Sequence, residues 1–394
     1  MPTVAERAGA LQECLVQWRR HIHQNPEVGM DTAGTAAFVK AELEKMGYTA
    51  HYVAGTGVTA LAGDPGKGKC FLLRADMDAL PFAEETDLAF KSTNGNMHAC
   101  GHDFHTAMLL GAAKLLKERE ADIPGCVKFM FQPAEENLKG AAAMLEAGIL
   151  ENPRVDAGAM FHVSMGSALP TGHISVPLPE ASCAAADWFE VLIRGKGGHG
   201  ARPHQTVDPL NVISHLHLAL QALNSREIAP DSVAALTVGM MQGGTTANVI
   251  PDTAEMRGTI RTFDEAVRDH LVKRVSEMAK SVAATFRAEA VVTMTSGCPN
   301  VDNNERVADI CAESLTAVFG DMVHRHTTKS SGSEDFAYLT KVIPAIMMTI
   351  SAGSAADGHT TPLHHPKVVL DEKALCNGAA AYAVAALGWL THHL

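Results

Sequence analysis

Cys126-Val-Lys-Phe-Met-Phe-Gln-Pro-Ala-Glu-Glu136 is an apolar run that ends in two adjacent carboxylates. Its first half, Cys126–Phe131, predicts a buried strand, and a charge without a partner is costly at the end of one. A metal enzyme has a use for such a pair, because one carboxylate can bind the ion while its neighbour takes a proton from water. The plain alternative is a helix N-terminus. Pro133 precedes the pair and Lys139-Gly-Ala-Ala continues helically, so the helix dipole would favour both acids without opposing a metal role.

The same texture recurs outward from this stretch. Cys70–Arg74, Ala157–Phe161 and Pro344–Ile350 are further continuous apolar runs. They are separated by amphipathic stretches that predict helices over Val4–His23, Thr32–Met46, Phe104–Glu118, Arg306–Phe319 and Glu372–Leu390. Continuous rather than alternating strands indicate an α/β domain with helices on both faces of a sheet. Strand after strand ends in ionisable residues: Arg74-Ala-Asp-Met-Asp78, Glu135-Glu136 and His162. Sites in open α/β sheets form outside the carboxyl ends of the strands, where such residues converge.

Met97-His-Ala-Cys-Gly-His-Asp-Phe-His105 adds a thiolate and an imidazole around Gly101, which permits a tight turn. Both suit Zn²⁺, and imidazole also suits Mn, Co or Fe. Alone, the segment reads equally as a ligand pair or as a buried Cys100 beside a helix-start His102, and a Cys–His nucleophile pair is a further reading. His162, and His364 in Leu363-His-His-Pro366, would singly be ordinary histidines. Four loops with ligand-type side chains together favour a hydrolase with a metal centre. Asp76 and Asp78 are expected to divide two tasks, one accepting from a ligand histidine and the other holding Arg74 or a backbone amide.

From about Ala184 to Ser296 the pattern changes. Trp188–Arg194 alternates, and a helix (Asp208–Leu223), two strands (Val233–Met241, Ala254–Thr262), a helix (Asp264–Phe286) and a strand (Ala288–Thr295) follow. This β-α-β-β-α-β order predicts a ferredoxin-like domain at 185–296, inserted between 1–184 and 297–394 of the first domain. Gly195-Lys-Gly-Gly-His-Gly200 matches a dinucleotide fingerprint literally, but Pro203 interrupts before any helix opens, so it reads as a turn that exposes His199.

The 394 residues are 46% hydrophobic and 19% charged, ordinary for a globular protein of about two domains. A net charge of −12 disfavours nucleic acid and anionic membranes as partners. Ala374–Leu390, interrupted by Asn377 and Gly378, reads as a buried terminal helix rather than a membrane span. Met1 to Arg20 shows no secretory pattern, so the expected compartment is the cytoplasm and the eight cysteines are expected to be reduced.

Several motifs, in order, resemble the M20 metallopeptidase family and more narrowly its aminoacylase/hippurate-hydrolase branch, with the auxin-conjugate amidohydrolases. They are Arg74-Ala-Asp-Met-Asp-Ala-Leu-Pro81, His98-Ala-Cys-Gly-His-Asp-Phe-His105, Gln132-Pro-Ala-Glu-Glu136, Asn248-Val-Ile-Pro251, Arg257-Gly-Thr-Ile-Arg261, Ser333-Glu-Asp-Phe336 and Leu363-His-His-Pro366. The resemblance implies an α/β catalytic domain with an inserted α+β lid that forms a homodimer. It implies two divalent ions (Mn²⁺, Zn²⁺ or Co²⁺) on Cys100, His102, Glu136, His162 and His364, with Glu135 as general base and Asp78 orienting the site. In the lid it implies His199 as an oxyanion stabiliser, and Asn248 and Arg261 as holders of a substrate carboxylate. Asp76 stands where peptidase relatives carry a ligand histidine. The expected activity is hydrolysis of small N-acyl amino acids. A dipeptidase or carboxypeptidase of the same family, a metal-independent Cys100 hydrolase and an idle binding scaffold are the competing expectations.

Overall fold

The computed structural model describes residues 3–326 and 329–393. The chain divides into two compact units, Met1–Ser182 with Val301–Thr328 and Asp335–Leu394, and Cys183–Asn300 with Lys329–Glu334.

The first unit is built on an eight-stranded mixed sheet. Its strand order is His51–Val53, Gly57–Gly63, Gly125–Gln132, Lys69–Asp76, Ala157–Ser164, Ala345–Ser351, Ile174–Val176 and Val323–Arg325. The central strands run parallel and pair Asp76 with Gln132, Arg74 with Met160, and His162 with Thr349. Their carboxyl ends therefore lie along one edge. Side chains on Lys69–Asp76 alternate between two cores, which is why its sequence is apolar throughout. Phe71, Leu73 and Ala75 pack in the cluster that includes the helices His102–Lys117 and Ala374–His392. Cys70 and Leu72 pack with Met130, Met144 and Phe336. All eight cysteines are free thiols.

The stretch expected to form one helix over Val4–His23 forms two, Val4–Gly9 and Gln12–Gln24. The break follows Gly9, the weakest helix former in the stretch. A second correction concerns Glu135 and Glu136. They do not begin a helix, because the chain turns through Pro133–Lys139 and the helix opens only at Gly140. Ala134 and Leu138 take left-handed conformations (φ 56° and 57°) that interrupt any helical run between them.

The second unit has a four-stranded antiparallel sheet in the order Ala234–Gly243, Thr253–Thr262, Ala185–Arg194, Glu289–Cys298. The helices Pro209–Ala222 and Glu265–Thr285 pack on it through Val212, Leu216, Leu220, Leu271, Val275 and Ala279. This is the ferredoxin-like order expected from the pattern. Lys329–Glu334 belongs to this unit, in which the Ala184 amide donates to the Ser330 and Gly332 carbonyls at 3.0 and 3.1 Å.

One cation sits inside the strand Gly125–Gln132. The Lys128 ammonium is buried and donates to the carbonyls of Ile149, Glu151 and Pro153 at 3.0, 2.7 and 2.9 Å. Replacing Lys128 by Met leaves three carbonyls without a donor, and an unpaired buried acceptor costs roughly 1–3 kcal/mol. The Lys128→Met variant should melt several degrees below wild type by calorimetry; an unchanged midpoint would mean that the three carbonyls cost nothing when released.

Candidate metal centre

Every candidate from the first unit is drawn to the carboxyl edge of its parallel strands. The loop after Lys69–Asp76 carries Asp78, the turn after Gly125–Gln132 carries Glu135 and Glu136, and Ala157–Ser164 carries His162. His162 lies within its strand rather than at the end, since the strand continues to Ser164. Cys100 and His102 flank Gly101, whose φ of 88° starts the helix His102–Lys117. A Cβ at Gly101 would lie 2.4 Å from Val163 Cγ2, so glycine alone fits this turn. His364 also has a left-handed backbone (φ 63°), fixed in part by its amide donating to the Ala99 carbonyl at 2.9 Å. Strain of this sort persists only where surrounding contacts hold it.

The ligand-type atoms form overlapping groups, each within 4.8 Å: Cys100/His102/His162, Cys100/Glu136/His364 and His102/Glu135/Glu136. Cys100 is common to the first two groups, the arrangement in which one thiolate can serve a pair of ions. The Nδ1 atoms of two imidazoles are already occupied in the way a metal site requires. His102 Nδ1 donates to the Asp78 carbonyl at 2.8 Å and His162 Nδ1 to the Val163 carbonyl at 2.7 Å, which turns each Nε2 to the cluster. His102 Nε2 and Glu136 Oε1 are buried and have no hydrogen-bond partner among the described residues. Buried polar atoms are rarely left so. A cation would satisfy both, and the thiolate, imidazole and carboxylate donors suit a divalent ion.

The surrounding groups are spoken for. Asp76 binds Arg74 Nη1 at 2.6 Å and accepts from His105 Nδ1. His105 Nε2 accepts from the Val163 amide at 2.9 Å, so neither Asp76 nor His105 is a ligand despite their nearness to His102. Arg74 and Gln132 are in turn held by Asp335, at 2.9 and 2.7 Å. Asp78 accepts the amides of Glu135 and Glu136 at 2.9 and 3.2 Å and so fixes both glutamates by their backbone. Of the two tasks expected, Asp78 takes the amide-holding one, while Asp76 holds Arg74 and a histidine that is not a ligand.

The electrostatics describe a site that holds protons where a cation belongs. Burial, with Asp78 and Asp76 nearby, pushes the Glu136 carboxyl up to about 7. Burial and Glu136 hold the Cys100 thiol well above its usual range, which argues against a free thiolate nucleophile there. Burial opposes protonation of His102, but Asp76, Cys100 and Asp78 around it raise its pKa well above the usual imidazole range, so a cation has to displace a proton from this ring too. His98 opens the same motif but takes no part: it is buried, and desolvation pulls it down to about 3, so it is a neutral ring.

His199, Asn248 and Arg261 belong to the second unit. The pair Gly198–His199 bonds to Val249–Ile250, and the Gly200 amide donates to the Asn248 carbonyl at 2.9 Å, so His199 and Asn248 share one exposed ribbon. His199 Nδ1 accepts from the Ala201 amide at 3.1 Å, which leaves the proton on Nε2. Arg261 is half-buried, and its Nη1 has no acceptor among the described residues. Of the buried ionic residues of the first unit, Arg19 and His23 lie in Arg19-Arg-His-Ile-His-Gln-Asn-Pro-Glu27, a stretch that also fits the resemblance but received no role from it, and Glu84 was not singled out, since one charged position in a loop looks like any other.

Residues 72–387 match the family described as peptidase family M20/M25/M40. The chain is 39% identical over 374 residues to an N-acetyl-L-cysteine deacetylase of Bacillus subtilis (strain 168), covering 93% of this chain and 85% of the relative. It is 37% identical over 382 residues to an IAA-amino acid hydrolase ILR1-like 2 of Arabidopsis thaliana, covering 95% and 85%. A solved dinuclear metal-binding peptidase of the M20 family from Bacillus subtilis superposes with a TM-score of 0.81 at 34% identity, covering 98% of this chain and 100% of that one.

A pH dependence follows from the raised groups. Glu136 is protonated below about pH 7 in the metal-free protein, and the Cys100 thiol and the His102 ring are raised as well, so a cation must displace protons from all three. Affinity therefore rises with pH, about tenfold per unit for each proton displaced. A chelator-competition titration with Zn²⁺ should show binding weaker by at least about a hundredfold near pH 6 than near pH 8. A pH-independent affinity would contradict this ligand set.

Proposed function

This chain belongs to peptidase family M20/M25/M40, and from that premise we propose that it is a metal-dependent amidohydrolase of N-acyl amino acids. It splits the amide bond to a carboxylate and a free amino acid. The observation that carries the proposal is Cys100, common to two groups of ligand-type atoms, with Glu135 and Glu136 beside it on the Asp78 carboxylate. Cys100, His102, Glu136, His162 and His364 hold two divalent ions (Mn²⁺, Zn²⁺ or Co²⁺) in this proposal. Such ions, when bound, supply Lewis acidity toward the acyl oxygen and lower the pKa of water.

The remaining chemistry belongs to the chain. Glu135 takes a proton from the attacking water as its oxygen adds to the amide carbon, then delivers a proton to the nitrogen as the C–N bond breaks. Asp78 keeps the Glu135 backbone in place through both events. His199 Nε2–H donates to the oxygen that becomes negative in the tetrahedral state. Arg261, with a buried Nη1 that has no acceptor among the described residues, receives the substrate carboxylate together with Asn248. Relatives named for deacetylation of N-acetyl-L-cysteine and for hydrolysis of IAA-amino acids support an acyl conjugate as substrate. The name of the M20 peptidase supports a second reading, in which the substrate is a dipeptide. A cytoplasmic homodimer formed through the ferredoxin-like unit completes the proposal, with eight free thiols in keeping with that compartment.

The test is amine release from a panel of N-acyl amino acids and free-amine dipeptides, before and after chelation and after adding back Mn²⁺, Zn²⁺ or Co²⁺. Metal-restored cleavage of acyl conjugates is expected, and cleavage of dipeptides alone would favour the second reading. Replacing Glu135 by Gln should lower kcat by roughly 10²–10⁴-fold, the usual contribution of a general base, with metal content retained. Near-normal turnover in that variant would remove Glu135 from its role.

A further inference from the structure

We propose that Glu84 is a positioning residue for the metal centre, because it links a buried charge network behind the Cys100–His102 segment to the loop that carries His364. The proposal rests on these residues being metal ligands.

The network begins on the helix Gln12–Gln24. Arg19 and His23 lie one turn apart there and both reach Asp103, at 2.7 and 2.8 Å, next to His102 in the chain. The other ring nitrogen of His23 meets Glu84 at 3.2 Å. His23 thus bridges two carboxylates, and with Arg19 it balances their charge in a region where all four side chains are essentially inaccessible. Glu84 is fully engaged, since its second oxygen accepts from the Ser92 amide at 2.7 Å and its first from the Thr86 hydroxyl.

From Glu84 the contacts pass to the ligands by backbone alone. The adjacent Glu85 amide donates to the Pro366 carbonyl at 2.8 Å, two residues beyond His364. The His364 amide donates to the carbonyl of Ala99, which precedes Cys100. Leu80 and Met97 exchange two backbone hydrogen bonds of 3.0 Å, closing the base of the segment in which Glu84 sits. The links form a ring: Glu84, His23, Asp103, His102, Cys100, Ala99, His364, Pro366, Glu85. Glu84 touches no ligand side chain, yet both ligand-bearing segments on this ring are anchored through it. That arrangement explains how His364, half exposed and in a left-handed conformation, is kept aimed at the cluster.

The experiment measures Zn²⁺ affinity and stoichiometry by chelator competition, beside the melting temperature of the chelated protein, for wild type, Glu84→Gln, Thr86→Val and Lys128→Met. Glu84→Gln should weaken Zn²⁺ binding by about 10- to 100-fold, as for other residues that orient metal ligands. Lys128→Met, a destabilising change outside the ring, should leave affinity within about twofold of wild type, which separates positioning from general stability. Glu84→Gln that melts lower but binds Zn²⁺ as wild type does overturns the proposal. Should Glu84→Gln fail to fold, Thr86→Val decides: weaker binding supports the role and wild-type binding overturns it. A wild-type protein that binds no Zn²⁺ overturns the ligand assignment itself, and the positioning role with it.

Discussion

Asp76, Asp78 and Glu135 are buried and Glu136 nearly so in the interior of one unit, and the cost of burying so many carboxylates is the constraint on which the rest of the site depends. An uncompensated buried charge costs several kcal/mol, so each carboxylate must find a partner or keep its proton. Asp76 is neutralised by Arg74 and accepts a further hydrogen bond from the neutral His105 ring. Asp78 is satisfied by two backbone amides. Glu136 has only the His364 and His102 rings at 3.5 and 3.9 Å, beyond hydrogen-bond reach, and burial leaves it protonated up to about 7. The shortfall in positive charge lies where Cys100, His102, His162 and His364 converge, which is why a divalent cation fits there better than any side chain could.

The ligands come from segments far apart in sequence, and a parallel sheet brings them together without long-range adjustment. Its strands end along one edge, so each need only place its own last residues. The fine aim is set by turns in left-handed conformations, with glycine at Gly101 and with Ala134, Leu138 and His364 at positions where glycine would be easier. Such positions survive because hydrogen bonds over-determine them. Asp78 holds the glutamate turn, and Ala99 holds His364.

The second unit solves a different problem. Its sheet and two helices close a small apolar core of their own, so the ribbon with His199 and Asn248 can stay exposed without destabilising the unit. Arg261 is held on a central strand, paired by register with Ala186 and Ala235, small residues that leave its guanidinium a place half inside the fold.

Much of this was legible in the amino-acid sequence. Continuous apolar runs such as Cys126–Phe131 specify strands buried on both faces, and the alternating Trp188–Arg194 specifies a strand with one face exposed, because burial dictates which side chains a strand tolerates. Glu136 stood out because a carboxylate after a core strand is costly unless used, and Cys100, His162 and His364 gained weight only as further ligand-type side chains in separate segments. Other features were not legible. That Glu135 and Glu136 sit in a turn rather than on a helix was decided by the distant Asp78 carboxylate, which captures their amides. The pairing of His23 with Glu84 and Asp103, and of Arg74 with Asp335, joins residues separated by up to 261 positions. Sequence alone determined which residues must be buried and which chemistry they can offer. Only the tertiary structure decided which carboxylate meets which cation, because a charge's partner is set by proximity in space and not by any periodicity along the chain.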